Sequence, residues 1–213
     1  MLEIVTPAAD PNLLTVAEAR LIVGLAANDA SKDTQLERLV DRVSAEIHSA
    51  CRIARGRGAP RTLRQETVQE TKFYPGGRTL ILARRHEITL TSFTLGGTSY
   101  DVTDFIVDSD AGTVAAVTGT EFTEWPRGLA VVVYQAGFAE VPPDLAGAAA
   151  DLLRIFYSSE SRDPLVKSVR VDVDGIDEIE TQYWVGATSP SVTLGIPSDI
   201  AARLSTYRNA TYA

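Results

Sequence analysis

Few residues in this chain have both the type and the spacing that chemistry needs. His48 lies three residues before Cys51, a separation that puts both side chains on one face of a helix within reach of one metal ion. Zinc takes three or four ligands, and the only other histidine, His86, sits between Arg85 and Glu87, where it reads as a solvated turn residue. Cys51 also continues an apolar stripe, so the pattern predicts a small buried hydrophobe. Two acidic runs offer oxygen ligands for calcium: Asp172, Asp174, Asp177, Glu178 and Glu180, and Asp108 with Asp110 before Gly112. Each lacks the acid that an EF-hand loop places at its fifth position, and both read as solvated faces and turns. No Ser–His–acid set, dinucleotide-type Gly-rich loop or Walker-type lysine stands out. The sequence predicts no catalytic residue, no metal and no cofactor.

The basic residues gather once, as Arg52, Arg55, Arg57, Arg61 and Arg64. Arginine at a helix C-terminus is favourable with the helix dipole, which accounts for the first two. The alternative is a contact with another subunit, an acidic partner or phosphate. No aromatics interleave with them, so a platform for stacking single-stranded bases is excluded. Across all 213 residues, 20 Lys and Arg face 28 Asp and Glu, a net charge of −8. Affinity for nucleic acid comes largely from counterions released by cations, so a general DNA binder is excluded. A channel that surrounds DNA without gripping it is not. With 45% apolar and 23% charged residues the composition is that of a globular protein. A single cysteine excludes an intrachain disulfide and fits a reducing compartment. No signal peptide or membrane-length apolar run is found, so a soluble intracellular protein is expected.

The elements that must position these residues are legible in outline. Thr15 with Glu18 forms a capping box, opening a helix through Ala17, Leu21, Ile22 and Leu25 that Asn28–Asp29 should end. Thr34 with Glu37 reads as a second box before the stripe Leu36, Leu39, Val40, Val43, Ile47, Ala50, Cys51 and Ala54. Gly56, Gly58 and Pro60 stop that helix, and the period then changes to two. Strands are expected around Thr67–Tyr74, Leu80–Leu82, Ile88–Leu95, Phe105–Val107, Thr113–Val117 and Leu129–Tyr134, with turns at Pro75–Gly77 and Gly96–Gly97. Asp144 should cap a helix bearing Leu145, Leu152, Leu153 and Phe156, which packs with Leu21 and Ile22 on the second helix. Alternation at Val169, Val171, Val173, Ile176 and Ile179 reads as a hairpin or extended arm, and Pro197–Ser198 opens a last short helix.

The fold class is therefore α+β: a helical bundle core (1–60 and 142–165), an inserted antiparallel β-sheet or small β-sandwich (61–141), an arm (166–196), and a C-terminal helix and tail (197–213). The last helix places Ile200, Leu204 and Tyr207 on one face. A helix this short is marginal alone and must dock, on its own domain or on a partner. Arg208 and Tyr212 follow it, residue types enriched at protein interfaces.

The chain as a whole resembles the head–tail connector, or adaptor, family of tailed bacteriophages and gene transfer agents. The resemblance rests on Leu14–Arg20 opening the first helix and on the Asp33–Leu36–Glu37–Leu39–Val40 pattern running to Cys51–Arg52. It continues through Leu80–Leu82 to Ile88, and through Tyr100–Asp101 before Phe105–Asp108. Its most telling part is Val131–Phe138, ending in Tyr-x-Ala-Gly-aromatic, followed by Val141–Leu145 and Ala148. The resemblance implies a non-enzymatic virion protein, located in the head–tail neck and assembled in the bacterial cytoplasm. Such a protein forms a homo-oligomeric ring, twelve-fold in the particle, beneath the portal. The ring extends the DNA channel, passes double-stranded DNA without reading it, and offers a platform to a stopper or tail-completion protein. The resemblance also favours a partner for the last helix, making Ile200, Leu204, Tyr207, Arg208 and Tyr212 the portal contact. The competing readings are a β-rich, calcium-dependent binding module and a hydrolase using scattered carboxylates.

Overall fold

A computed structural model describes residues 1–118, 121–160, 168–173, 176–182 and 196–209, with the backbone path alone over 168–182. The buried apolar side chains divide into two clusters, one helical and one β. Helix α1 (Val16–Ile22) begins with the expected capping box: the Glu18 N–H donates to the Thr15 hydroxyl at 3.2 Å, and the Thr15 N–H to the Glu18 carboxylate at 2.7 Å. It ends well before Asn28–Asp29, because Gly24 turns the backbone left-handed at φ 83°. Helix α2 (Asp33–Ala50) starts at Asp33, and the Thr34–Glu37 box is not made. Asp33 sits instead in the first turn, where a carboxylate favours the helix dipole, and accepts from Arg20 Nε of α1 at 2.7 Å.

The stripe Leu36, Leu39, Val40, Val43, Ile47 and Cys51 packs on Ala19 and on Leu145, Leu152, Leu153 and Phe156 of α3 (Pro143–Glu160). The helices thus meet across the long insertion. Leu21 does not take part, being 62% exposed, and the small Ala19 takes the buried position on α1. Helix α3 opens on Pro143, which needs no N–H partner in the first turn, so Asp144 is its second residue rather than its cap.

The strands, in chain order, are β1 (Leu2–Thr6), β2 (Glu66–Tyr74), β3 (Thr79–Ile81), β4 (Thr89–Leu95), β5 (Thr98–Tyr100), β6 (Phe105–Asp108), β7 (Thr113–Thr118), β8 (Glu121–Phe122) and β9 (Gly128–Ala136). A large antiparallel sheet runs β1-β2-β9-β4-β5; a smaller one runs β3-β7-β6, with β8 on β7. Their inner faces share one apolar cluster, in which Phe93 of β4 stacks on Trp125 at 4.8 Å and meets Phe105 of β6 edge-on at 5.0 Å. The insertion is therefore a β-sandwich. Strand β1 lies within the first sixty residues, expected to be helical, yet it pairs with β2 (Ile4 opposite Val68) and belongs to the sheet. The expected arm is a hairpin of β10 (Ser168–Val173) and β11 (Ile176–Gln182), paired Val171 to Ile179 in a two-stranded sheet. Helix α4 (Ser198–Arg203) and a 3₁₀ turn, Leu204–Tyr207, complete the described chain.

Candidate partner-binding site

The segment Tyr134–Phe138 carries the chain from β9 toward α3 and joins the two cores. The Tyr134 hydroxyl donates to Glu70 Oε2 at 3.1 Å and accepts from the Arg84 N–H at 3.1 Å, while Glu70 Oε2 also accepts from the Ala83 N–H at 2.8 Å. At Gly137, φ is 95° and a Cβ would lie 2.4 Å from the Arg64 carbonyl oxygen, so only glycine fits. This close approach lets the Phe138 N–H donate to the Leu63 carbonyl (2.8 Å) and the Gln65 N–H to the Phe138 carbonyl (3.0 Å). Phe138 then stacks on His86 at 4.8 Å and meets Tyr207 edge-on at 5.7 Å.

His86 is therefore not the solvated turn residue its charged neighbours suggest. It is buried, with φ 68°, and burial followed by the nearby Arg85 charge lowers its pKa. His48 is buried too, and desolvation, aided by Arg84, pushes its pKa down to about 4. Burial drives the Cys51 thiol up to about 12, which makes it an inert hydrophobe. Beneath this junction Arg84 Nη2 meets Glu66 Oε1 at 2.5 Å, both side chains buried, and Arg84 Nη1 donates to the Thr62 carbonyl at 3.0 Å. Desolvation raises the Glu66 pKa and lowers that of Arg84, each opposed by the partner's charge. A signal for the carboxylates was present in the sequence: Glu66 and Glu70 occupy the same phase of β2 as Val68 and Tyr74, the phase that faces inward.

The C-terminal segment docks on this junction. Ile200 (1% exposed), Leu204 (0%) and Tyr207 (8%) lie in the chain's own helical core, so three of the five residues expected at a portal contact are committed internally. The stripe satisfies itself because α3 leaves a groove for it, and the Tyr207 hydroxyl donates to Asp144 Oδ1 at 2.6 Å. Arg85 Nη1 donates to the Arg208 carbonyl, the Asn209 side-chain amide to the Ala83 carbonyl (2.9 Å), and the Asn209 N–H to the Cys51 carbonyl (2.9 Å). Tyr212 lies outside the described residues. Asn209, the last described residue, thus sits beside the C-terminal end of α2.

Arg52 begins there and Arg55 and Arg61 follow, all with exposed side chains. The Arg208 charge is felt at Cys51, the Arg61 charge at Arg84 and the Arg85 charge at His86. The segment ending at Asn209 therefore lies among arginines on an acidic protein. Arg57 is exposed as well, while its backbone exchanges hydrogen bonds with Leu2 and Ile4; Arg64 is half-buried, and its backbone bridges to Phe138.

A groove of about 240 Å³ near Leu13, Leu14, Val141 and Ala146 carries Asp10, Glu18, Glu140 and Arg64. Glu18 there is engaged in the Thr15 capping box. Among the described residues no group of three or more His, Cys, Asp or Glu side chains is placed to hold a metal ion. The acidic side chains from Asp172 to Glu180 lie outside the described residues, and no described helix is long and apolar enough to cross a membrane.

Solved structures share the fold at low identity. One chain, from the virion of a native gene transfer agent particle, superposes with TM-score 0.57 at 20% identity, covering 100% of this chain and 97% of the other. A second, from the neck of an empty gene transfer agent particle computed with C6 symmetry, gives 0.55 at 18% identity with the same coverage of 100% and 97%. A third, from the neck of a native particle computed with C12 symmetry, gives 0.52 at 18%, again covering 100% and 97%. No curated protein sequence matches. Residues 12–167, which contain α1 to α3, the sandwich strands β2 to β9 and the Gly137 junction, match the family described as head completion protein, and the chain belongs to that family.

Proposed function

We propose that this protein is a structural, non-enzymatic component of the head–tail neck of a tailed phage or gene transfer agent. It forms a ring beneath the portal, twelve copies in the particle, extends the DNA channel and carries the stopper or tail-completion protein. The match over residues 12–167 carries this reading, and the neck and virion origin of the similar structures supports it. The charge of −8 suits a channel that passes DNA without holding it. The portal contact lies at Arg208 and the tail beyond Asn209, including Tyr212, flanked by the exposed Arg52, Arg55 and Arg61. Ile200, Leu204 and Tyr207 form the root that holds this tail.

Two truncations test the placement. Removing residues 210–213 should leave the melting temperature within about 2 °C and abolish capture by immobilised portal rings. Removing Tyr207 onward should lower the melting temperature by several degrees, since it extracts Tyr207 and Asn209 from buried sites. Full portal capture by the shorter deletion would refute the placement. The calcium-dependent alternative predicts a loss of thermal stability with chelator; an unchanged melting curve is the result expected here.

A further inference from the structure

Two sheet faces are left unused by both cores. On the large sheet, Phe73 of β2 pairs with Leu129 of β9, and both point outward, followed along β9 by Val131 and Val133. The outward positions of β2, β9 and β4 hold only Phe, Leu, Val, Thr, Gln and Ser, in a chain that is 23% charged. Phe73 is 67% exposed and Leu129 53%. On the small sheet the outward face carries Ile81, Ile106, Ala115, Val117 and Phe122, with one carboxylate, Asp108, at the end of β6. Because the inner faces share a core, these two faces point to opposite sides of the sandwich.

We infer that neighbouring copies in the ring join through the sandwich, the outer face of the large sheet of one copy packing on the outer face of the small sheet of the next. The inference rests on the ring proposed above. Single exposed apolar residues are ordinary, but a contiguous face depleted of charge is the composition of an interface core. Copies of a chain carrying −8 repel one another, so they meet where that charge is missing. A ring of identical copies also needs two different faces on opposite sides of each subunit, since a self-complementary face stops at a dimer. The sandwich presents such a pair.

The size of the contact gives it a further property. With strands ~4.8 Å apart and a rise of ~3.3 Å per residue, β3, β7 and β6 span roughly 200 Å², and the three central strands of the large sheet, which bound the contact from above, roughly 400 Å². Even that upper bound is about half of the ~800 Å² per partner found in a stable pairwise complex. One such contact does not hold a dimer; a closed ring gives every copy two. Isolated protein is therefore monomeric, and rings appear without populated dimers when portal rings template them.

Cysteine pairing tests the geometry. Rings templated on portal are treated with a short bis-maleimide; buried Cys51 does not compete. The double variant Leu129→Cys/Ile106→Cys should give a ladder of cross-linked species up to the closed ring, whereas either single variant should give none. A cross-linked dimer from one single variant, or rings of the double variant that do not cross-link, would overturn the inference while leaving the ring itself standing. Leu129→Asp, at an exposed site, should keep the wild-type melting temperature and lose rings; rings at wild-type yield would also overturn it. If wild type forms no ring on portal under negative stain, the proposed function fails and this inference fails with it.

Discussion

Glu66 and Arg84 share a site with almost no solvent, and neither tolerates the loss of the other. Arg84→Met should leave the Glu66 carboxylate buried and unpaired, costing ~3–5 kcal/mol in denaturant unfolding. A double variant, Glu66→Leu/Arg84→Met, should recover most of that loss. His48 makes the folded protein sensitive to acid. Its pKa falls from the ordinary 6.5 to about 4, so below the ordinary value the unfolded chain takes a proton that the folded one refuses. The stabilising contribution is complete above pH 6.5 and is lost as pH falls toward 4. At about 1.4 kcal/mol per unit this amounts to at most ~3.5 kcal/mol. His86, also lowered, acts in the same sense, while Glu66, raised, acts in the opposite one. His48→Gln should therefore flatten the fall in stability across this window relative to wild type. An unchanged slope would assign the acid sensitivity to other groups.

At the scale of elements, the Gly137 crossing and the α2–α3 contact control the fold. Gly137→Ala forces a side chain onto backbone at positive φ, and should cost more than about 2 kcal/mol by thermal or chemical melting. Leu39→Asp buries a carboxylate in the stripe facing α3 and should remove the helical signal in circular dichroism at ambient temperature. Elements governed by local rules were legible in the sequence. The Thr15 box, the α2 stripe, the strand alternation and the 168–182 hairpin all follow from period and capping. Those decided by distant partners were not. Strand β1 carries its alternation, Leu2–Glu3–Ile4, over too few residues to be read without β2 beside it; α2 starts at Asp33 because Arg20 waits there; His86 is buried because Phe138 and Tyr207 arrive from far along the chain. The residues behind the family resemblance have mechanical reasons in the structure. Tyr134 binds Glu70, Gly137 permits the crossing, Phe138 covers His86, and Asp144 holds Tyr207. The C-terminal stripe showed that it must dock but not where, since an amphipathic face is the same whether its cover is its own core or a partner.

For the molecule as a whole, charge and connectivity set the behaviour. With −8 overall and most of its cations scattered outside the Arg52–Arg61 patch, the protein should not retard linear duplex DNA in a gel at 150 mM salt. Retardation at that salt would mean that the Arg52–Arg61 patch grips phosphate, and would remove the case for a non-binding channel. The three backbone passages between the cores, from β1 to Leu13, from Ile53 to Glu66 and from Ala136 to Val141, have a consequence for load. A domain inserted through two adjacent ends hangs on a hinge and swings when pulled. Here a pull that separates sandwich from bundle is divided among three passages, two of them covalent at both ends and the third running through the edge strand β1, which is held by its pairing with β2. The two covalent ones, at Leu63–Gln65 and Phe138, are laced to each other by hydrogen bonds. The halves are thus spliced rather than hinged, and a force applied across the joint stretches backbone before it peels any surface apart.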